Sequence, residues 1–357
     1  DFIIDENNIM YVTYSSPGCI FKCDTNIGSN WVQIGDSADA IALDQNNDLH
    51  KIYLEKYEDP ATSWNGAVWN TNKVAVKLMK YSGSVWSLTS VDTIHSTPIL
   101  PGPKWYGVYK VEDFVIDGSG DCYVSLMVND YNLQAWHDYS WINVRKYNGA
   151  WSELDSTRML KNNYAFTNWA NAWDNQFNLH TTLAIHPNTG NLLIAGQQGA
   201  YSGLQSNGFL YSNVDITSNI VKEYNGTTWN ILGDSIPFSD FPHNPAGAHL
   251  AANTNGDIIC AFTNDEHAYL DPYGLDTLMV YKYNAGSNSW DTLIGGNPTI
   301  DMVLVNSLSM DINSYGEPCF AYSGNGYPPY TTEPNKGMRM VIQYNNNSNE
   351  WNTINAP

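Results

Sequence analysis

The chain has 357 residues, of which 43% are hydrophobic and 13% aromatic, enough for a large core and too few charges for a disordered polyampholyte. Thirty-six acidic residues against sixteen basic ones give a formal net charge of −20. A surface that acidic repels phosphate backbones and anionic lipid, which disfavours nucleic acid and leaves neutral ligands such as glycans, extracellular proteins and divalent cations as partners, and no apolar run approaches the length that membrane insertion needs.

Two short patterns alternate along the chain. The first is an apolar strand, an Asx-type turn and a second apolar strand, and it reads in order FIIDENNIMYV, IALDQNNDLHKIYL, FVIDGSGDCYVSL, LAIHPNTGNLLIA, LAANTNGDIICAF and LSMDINSYGEPCFAY. Its turn-opening residues are Asp5, Asp44, Asp117, His186, Asn253 and Asp311. Asp and Asn suit that place because their side chains accept a bond from the backbone two residues on. The second pattern is a strand ending in Lys-Tyr or a relative, a polar turn, and a tryptophan: Trp31, Trp86, Trp151, Trp229, Trp290 and Trp351. Each repeat therefore predicts two hairpins, strands A to D.

Six such repeats predict an all-β fold, a six-bladed β-propeller with four antiparallel strands per blade, in which repeated sheets limit exposed edges. The blades fall at about 1–38, 39–95, 110–157, 178–236, 247–296 and 304–357, one domain over 1–357. The segment 155–180 lacks both turns and reads as a loop. One and three positions before each turn the inner strand is bulky, and between them it is mostly small, so blades can nest large against small. The tryptophans recur at one repeat position and read as anchors between blades. No strand is shared between the first and last blades.

The pattern resembles secreted β-propeller repeat proteins whose blades carry an Asp–Gly hairpin and a Tyr-Asn-Gly-x-x-Trp turn. The resemblance covers the whole chain and implies a fold and a secreted or cell-surface location, not an activity. The chain lacks the Ser-x-Asp-x-Gly-x-x-Trp box of the sialidase type and the recurring Arg and Glu of fucose lectins. An opening at Asp1 without Met is expected of a processed chain. Cys19 and Cys23, four apart on one strand, are too distant to pair, and Cys122, Cys260 and Cys319 read as small buried hydrophobes.

Strand parity puts the B–C and D–A connections at one end of every blade, and these are the long ones. Long connections in compact domains carry function. The B–C set Glu55–Lys73, Val128–Trp141, Gly196–Asn219, Asn264–Thr277 and Ser323–Met338 contributes Trp64, Trp69, Trp136, Trp141, Tyr201, Asp265, Glu266, Tyr269, Tyr273, Tyr327 and Tyr330. The D–A set Ser90–Glu112 and Asp155–His180 contributes Trp105, Tyr106, Trp169 and Trp173. Planar rings beside amides and carboxylates suit sugar rings; they equally suit protein interfaces, or satellite cores under the loops.

No cofactor is required, and no transition-metal spacing is present. Calcium is the one ion the turns suggest, since Asp44, Asn46 and Asp48 alternate like hard-oxygen ligands, though the spacing of an EF-hand is missing. Two glycosylation sequons, at Asn225 and Asn346, lie in C–D turns. With many aromatics and no catalytic constellation, the sequence favours a non-catalytic extracellular module that binds glycans or proteins, within an assembly or a self-associated fibre. The alternative is a polysaccharide-active hydrolase or lyase using carboxylates of the long connections, such as Asp130, Asp138, Asp265 and Glu266.

Overall fold

The computed structural model describes residues 1–14, 19–24, 30–36, 38–64, 67–95, 104–132, 137–154, 161–165, 181–201, 214–234, 236, 248–253, 255–264, 277–293, 305–313, 315–325, 337–345, 347–348 and 350–354. They form the six four-stranded antiparallel sheets of a six-bladed β-propeller, each made from strands consecutive in the chain. The first holds β1 (Phe2–Ile4), β2 (Ile9–Tyr14), β3 (Cys19–Asp24) and β4 (Trp31–Asp36), and the second β5 (Ala40–Leu43), β6 (Leu49–Trp64), β7 (Ala67–Ser82) and β8 (Val85–His95). The third holds β9 (Lys104–Ile116), β10 (Cys122–Asn132), β11 (His137–Tyr147) and β12 (Trp151–Glu153), with β13 (Lys161–Ala165) as an extra strand on β11. The fourth is β14 (Thr182–Ile185), β15 (Leu192–Tyr201), β16 (Val214–Tyr224) and β17 (Trp229–Ile231). The fifth is β18 (Ala248–Ala252), β19 (Ile258–Asn264), β20 (Thr277–Asn284) and β21 (Ser289–Thr292), and the sixth β22 (Val305–Ile312), β23 (Pro318–Asn325), β24 (Gly337–Asn345) and β25 (Glu350–Ile354). Among the described residues no helix is long and apolar enough to cross a membrane.

The chain forms two compact units. One comprises Asp1–Asp36, Phe177–Gln197 and Ile216–Pro357, and the other Ser37–Gln176 and Gln198–Asp215. In the first, β14 lies against β18, β18 against β22, and β22 against β1. In the second, β5 lies against β9.

The A–B hairpins show why the Asx residues recur. Asp5, Asp44, Asp117 and Asn253 each accept at Oδ1 the backbone N–H groups two and four residues on, at 2.8–3.1 Å. His186 takes the same position with Nδ1, accepting from Asn188 and Thr189, two and three residues on. In the sixth sheet the residue in this role is Asn313, which accepts from Tyr315 and Glu317, and not Asp311 as the sequence pattern predicted. Gly316, three residues after Asn313, has the positive φ (77°) that Asn8, Asn47, Gly120 and Gly256 have three residues after their own openers. Both Asp311 and Asn313 can open such a turn; the reach to a glycine at +3 decides between them. The bulky pair of the sixth inner strand is consequently Met310 and Ile312, and Asp311 takes the small position.

The lysine of the Lys-Tyr motif also has a structural cause. It reaches back to the acid that closes the A–B hairpin of its own sheet: Lys80 to Asp48 at 2.7 Å, Lys146 to Asp121 at 2.6 Å and Lys282 to Asp257 at 2.5 Å. Where the lysine is replaced, the bond survives in another form. Glu223 accepts from Thr189 and Asn191, and Gln343 donates to Glu317. These bonds explain the acidic alternation that suggested calcium. Lys80 pairs with Asp44 and Asp48, and the Asp44 Oδ1 is already taken by its own turn.

Each second-pattern tryptophan stands opposite the last motif residue of the preceding strand. Five are tilted against a tyrosine there, with ring centroids 5.0–5.3 Å apart in the pairs Tyr81–Trp86, Tyr147–Trp151, Tyr224–Trp229, Tyr283–Trp290 and Tyr344–Trp351. Trp151, Trp290 and Trp351 also pack against clusters that join two neighbouring sheets, as anchors should. The predicted nesting is visible there. Ala40 and Ala42 of β5 pack with Phe114 of β9, Ala184 with Leu250, and Ala251 with Met310 and Ile312. Burial of such apolar surface is worth about 25 cal/mol per Å2, and it is the main force between sheets.

Candidate functional site

At the turn end, both C–D and A–B hairpins are short and closed by their own side chains, so they offer little to a ligand. Asn225 is exposed there, and its Oδ1 accepts from the Thr227 and Thr228 N–H groups. Asn346 lies outside the described residues.

At the opposite end the second and third sheets do not give way to loops. The stretches Glu55–Lys73 and Val128–Trp141, expected as loops, continue as paired strands up to Trp64↔Ala67 and Asn132↔His137. Much of Ser90–Glu112 is likewise strand, in β8 and β9, and β13 interrupts the predicted loop at 155–180. These stretches carry no clear hydrophobic period in the sequence, which is why they read as loops.

The register of β9, β10, β11 and β13 gathers sequence-predicted residues into cross-strand rows. One row is Trp105, Tyr131, Asp138 and Tyr164, the next is Tyr106, Asp130, Tyr139 and Asn163, and Val108, Val128, Trp141 and Lys161 form another. Residues in adjacent rows alternate between faces. Asp130 and Asp138 therefore stand on opposite faces and cannot act as a pair on one bond. Asp130 shares its face with its direct neighbours Tyr106 and Tyr139, and with His137 and Trp141, each two residues from Tyr139 along β11. In the second sheet Trp69 stands opposite Thr62 and Trp64 opposite Ala67, two rows apart on one face. Tyr201 ends β15. Trp136, Trp169, Trp173, Asp265, Glu266, Tyr269, Tyr273, Tyr327 and Tyr330 lie outside the described residues.

Polar residues also lie on or just before the inner strands. In the second unit Asp39 accepts the Leu54 N–H at 2.7 Å, Asp113 accepts the Phe114 N–H at 2.7 Å, and Glu112 is buried. In the first unit the Thr182 hydroxyl donates to the Ala248 carbonyl at 3.2 Å, and Thr181 and His249 are each 1% exposed. The signal for Asp39 and Thr181 was their place directly before an apolar inner strand. Among the described residues no group of three or more His, Cys, Asp or Glu could hold a metal ion.

The ionisation of the buried groups follows from their surroundings. Burial opposes charge on Asp44, but bonds from His50, from the N–H groups of Asn46 and Asp48, and from Lys80 outweigh it and lower the carboxyl to about 2. Burial keeps His50 below the usual imidazole range despite Asp44. Asp311 moves the other way, raised by burial to about 7 against the bonds from Ile4 and Ile312.

No protein-family model and no curated protein matches the sequence. Solved structures do match in shape. A Hadza microbial sialidase, Hz136, is 10% identical over 90% of this chain, with a TM-score of 0.51. The chain covers 62% of that structure, about three-fifths of its length. An α-L-arabinofuranosidase of Fusarium graminearum bound to an iminosugar inhibitor is 13% identical over 96% of this chain and 91% of its own, with a TM-score of 0.45. A polysaccharide lyase described as an ulvan lyase is 13% identical over 98% of this chain and 81% of its own, with a TM-score of 0.46. At such identities the likeness shows the fold.

These neighbours correct the sequence-based preference for a non-catalytic scaffold. That preference rested on the missing catalytic motif. Yet the sialidase shares this fold at an identity too low for any motif to be inherited. A missing motif is therefore no evidence against catalysis, and the preference for a non-catalytic scaffold is withdrawn.

Proposed function

We propose that the chain is a polysaccharide-active enzyme, a hydrolase or lyase, whose substrate lies on the long-connection end of the sheets. What supports the reading is strand register, in which Asp130 stands opposite Tyr106 and Tyr139, with His137 and Trp141 two residues from Tyr139 along β11. A carboxylate and an imidazole on one face supply a proton donor and acceptor, and aromatic residues beside them suit the C–H face of a sugar ring. The net charge of −20 favours a neutral glycan over a polyanionic one, and so hydrolysis over β-elimination. Trp64 and Trp69 on the second sheet, and Trp105 on the other face of the third, extend the aromatic surface; the remaining sequence-predicted aromatics, with Asp265 and Glu266, are proposed contributors from the same connections.

The test is a screen of the purified chain against neutral and uronate-containing polysaccharides, reading both reducing ends and the ultraviolet absorbance of an unsaturated product. Reducing ends without that absorbance indicate hydrolysis. Asp130→Asn should then lower kcat by at least about a hundredfold, as loss of a general acid or base does, while Asp138→Asn retains turnover. Equal loss in both variants, with folding intact, would remove the assignment to this face.

A further inference from the structure

The C–D turn of the fourth sheet carries chemistry that its fold does not require. Three C–D turns share one device, an asparagine whose Oδ1 accepts the backbone N–H groups two and three residues on. Asn225 accepts from Thr227 and Thr228, Asn284 from Gly286 and Ser287, and Asn345 from Asn347 and Ser348. The residue two places on varies, from Gly286 to Asn347, because the turn uses only its backbone. After Asn225 it is Thr227, whose hydroxyl donates to the same Oδ1 at 2.9 Å. That bond stands beside the Thr227 N–H bond at 3.1 Å and is surplus to the turn. Asn225, Gly226 and Thr227 are thus both the turn and an Asn-x-Thr acceptor sequence, in phase. In the sixth sheet the turn opens at Asn345, one residue before the second such sequence at Asn346.

We propose that Asn225 is an acceptor of N-linked oligosaccharide. Four donors converge on its Oδ1, the N–H and hydroxyl groups of Thr227 and of Thr228, at 2.9–3.4 Å. They fix that atom as the amide oxygen, so the other is Nδ2, which makes no hydrogen bond among the described residues. An amide nitrogen is a poor nucleophile because its lone pair is shared with the carbonyl. Loss of an Nδ2 proton moves negative charge onto Oδ1, and the four donors stabilise that charge. In the transfer, Nδ2 bonds the anomeric carbon of an oligosaccharide activated as a lipid-linked diphosphate. The bond from that carbon to the phosphate oxygen breaks, the diphosphate leaves, and the Nδ2 proton passes to a base of the transferring enzyme. Access is open, since Asn225, Gly226, Thr227 and Thr228 are all exposed and a Cβ at Gly226 would meet nothing within 4 Å. The bonds span at most three residues, so the nascent hairpin forms them before the sheets pack. The turn lies at the end of its sheet away from the B–C connection, and a bulky glycan there leaves that connection clear.

The full chain, secreted from a eukaryotic cell that performs N-glycosylation, tests this. Occupancy is read by peptide mapping after enzymatic release of N-linked sugar in heavy-oxygen water, which marks each formerly occupied asparagine. Asn225 should be occupied in most molecules, and Thr227→Ala should lower its occupancy at least about tenfold. Thr227→Ala keeps both backbone bonds of the turn, so occupancy should fall while thermal melting of the deglycosylated chain is unchanged. Thr227→Ser should restore the sugar, because it restores the hydroxyl. An empty Asn225 in the unmodified chain, or equal occupancy in Thr227→Ala, overturns the proposal. The unmodified chain decides the matter even if a variant is not secreted.

Discussion

The indole Nε1 of Trp290 donates to the carbonyl oxygen of Leu232, in the preceding sheet, at 3.1 Å. The next residue, Gly233, has a φ of 69°, and a Cβ there would stand 2.7 Å from that same Nε1. Gly233→Ala should therefore cost about 2–4 kcal/mol, combining left-handed strain with displacement of the indole. Gly226, with a φ of 94° and open space around it, meets only the backbone part, so Gly226→Ala should cost about 1–2 kcal/mol. Urea denaturation of both variants checks the difference.

Two ion pairs should behave differently on truncation. Arg145 bonds Asp92 across the second and third sheets at 2.6 Å, and both side chains are largely buried, 18% and 11% exposed. Lys282 and Asp257 are 44% and 21% exposed. Arg145→Met leaves a desolvated carboxylate and should destabilise by about 3 kcal/mol, whereas Lys282→Met should cost less than about 1 kcal/mol. Equal losses in thermal melting would contradict this.

Asp44 sets an acid limit. Its folded value of about 2 lies below the unfolded 3.8, so its contribution is present above about pH 4 and is lost as pH falls through about 2. Asp44→Asn should flatten the decline of stability between those values. A pH series of denaturant midpoints for both proteins measures it; parallel curves would show that His50 and Lys80 do not hold the charge.

All five cysteines are free, and Cys23, Cys122, Cys260 and Cys319 are buried. Burial raises Cys122 to about 12 and carries Cys260 and Cys319 well above the usual thiol range. A thiol reagent at pH 8 should therefore label Cys19 first, with the others reacting only on unfolding. Rapid labelling of two or more sites, located by mass spectrometry, would be inconsistent with the packing.

Much of the fold could be read from the chain because each sheet is built from neighbouring residues. An Asx turn, a Lys-Tyr pair and a tryptophan are local signals, and each proves to have a local bond behind it. The reading failed at Asp311, where two eligible residues lay two apart and both kept the strand in phase. It failed again at Glu55–Lys73 and Lys161–Ala165, where the sequence carries no clear hydrophobic period to find. The grouping of Asp130 with Tyr106 and Tyr139 was out of reach for a related reason: it depends on register between strands, and no single segment encodes that.

The way the last sheet meets the first bears on the order of assembly. Each sheet can condense from adjoining hairpins at small cost in chain entropy, but the contact of Asp311 with Ile4 joins residues 307 positions apart. That encounter cannot guide the early collapse and belongs to its end. A newly made chain should therefore form its sheets before β1 and β22 meet, and that interval is when it is most exposed to association with other copies.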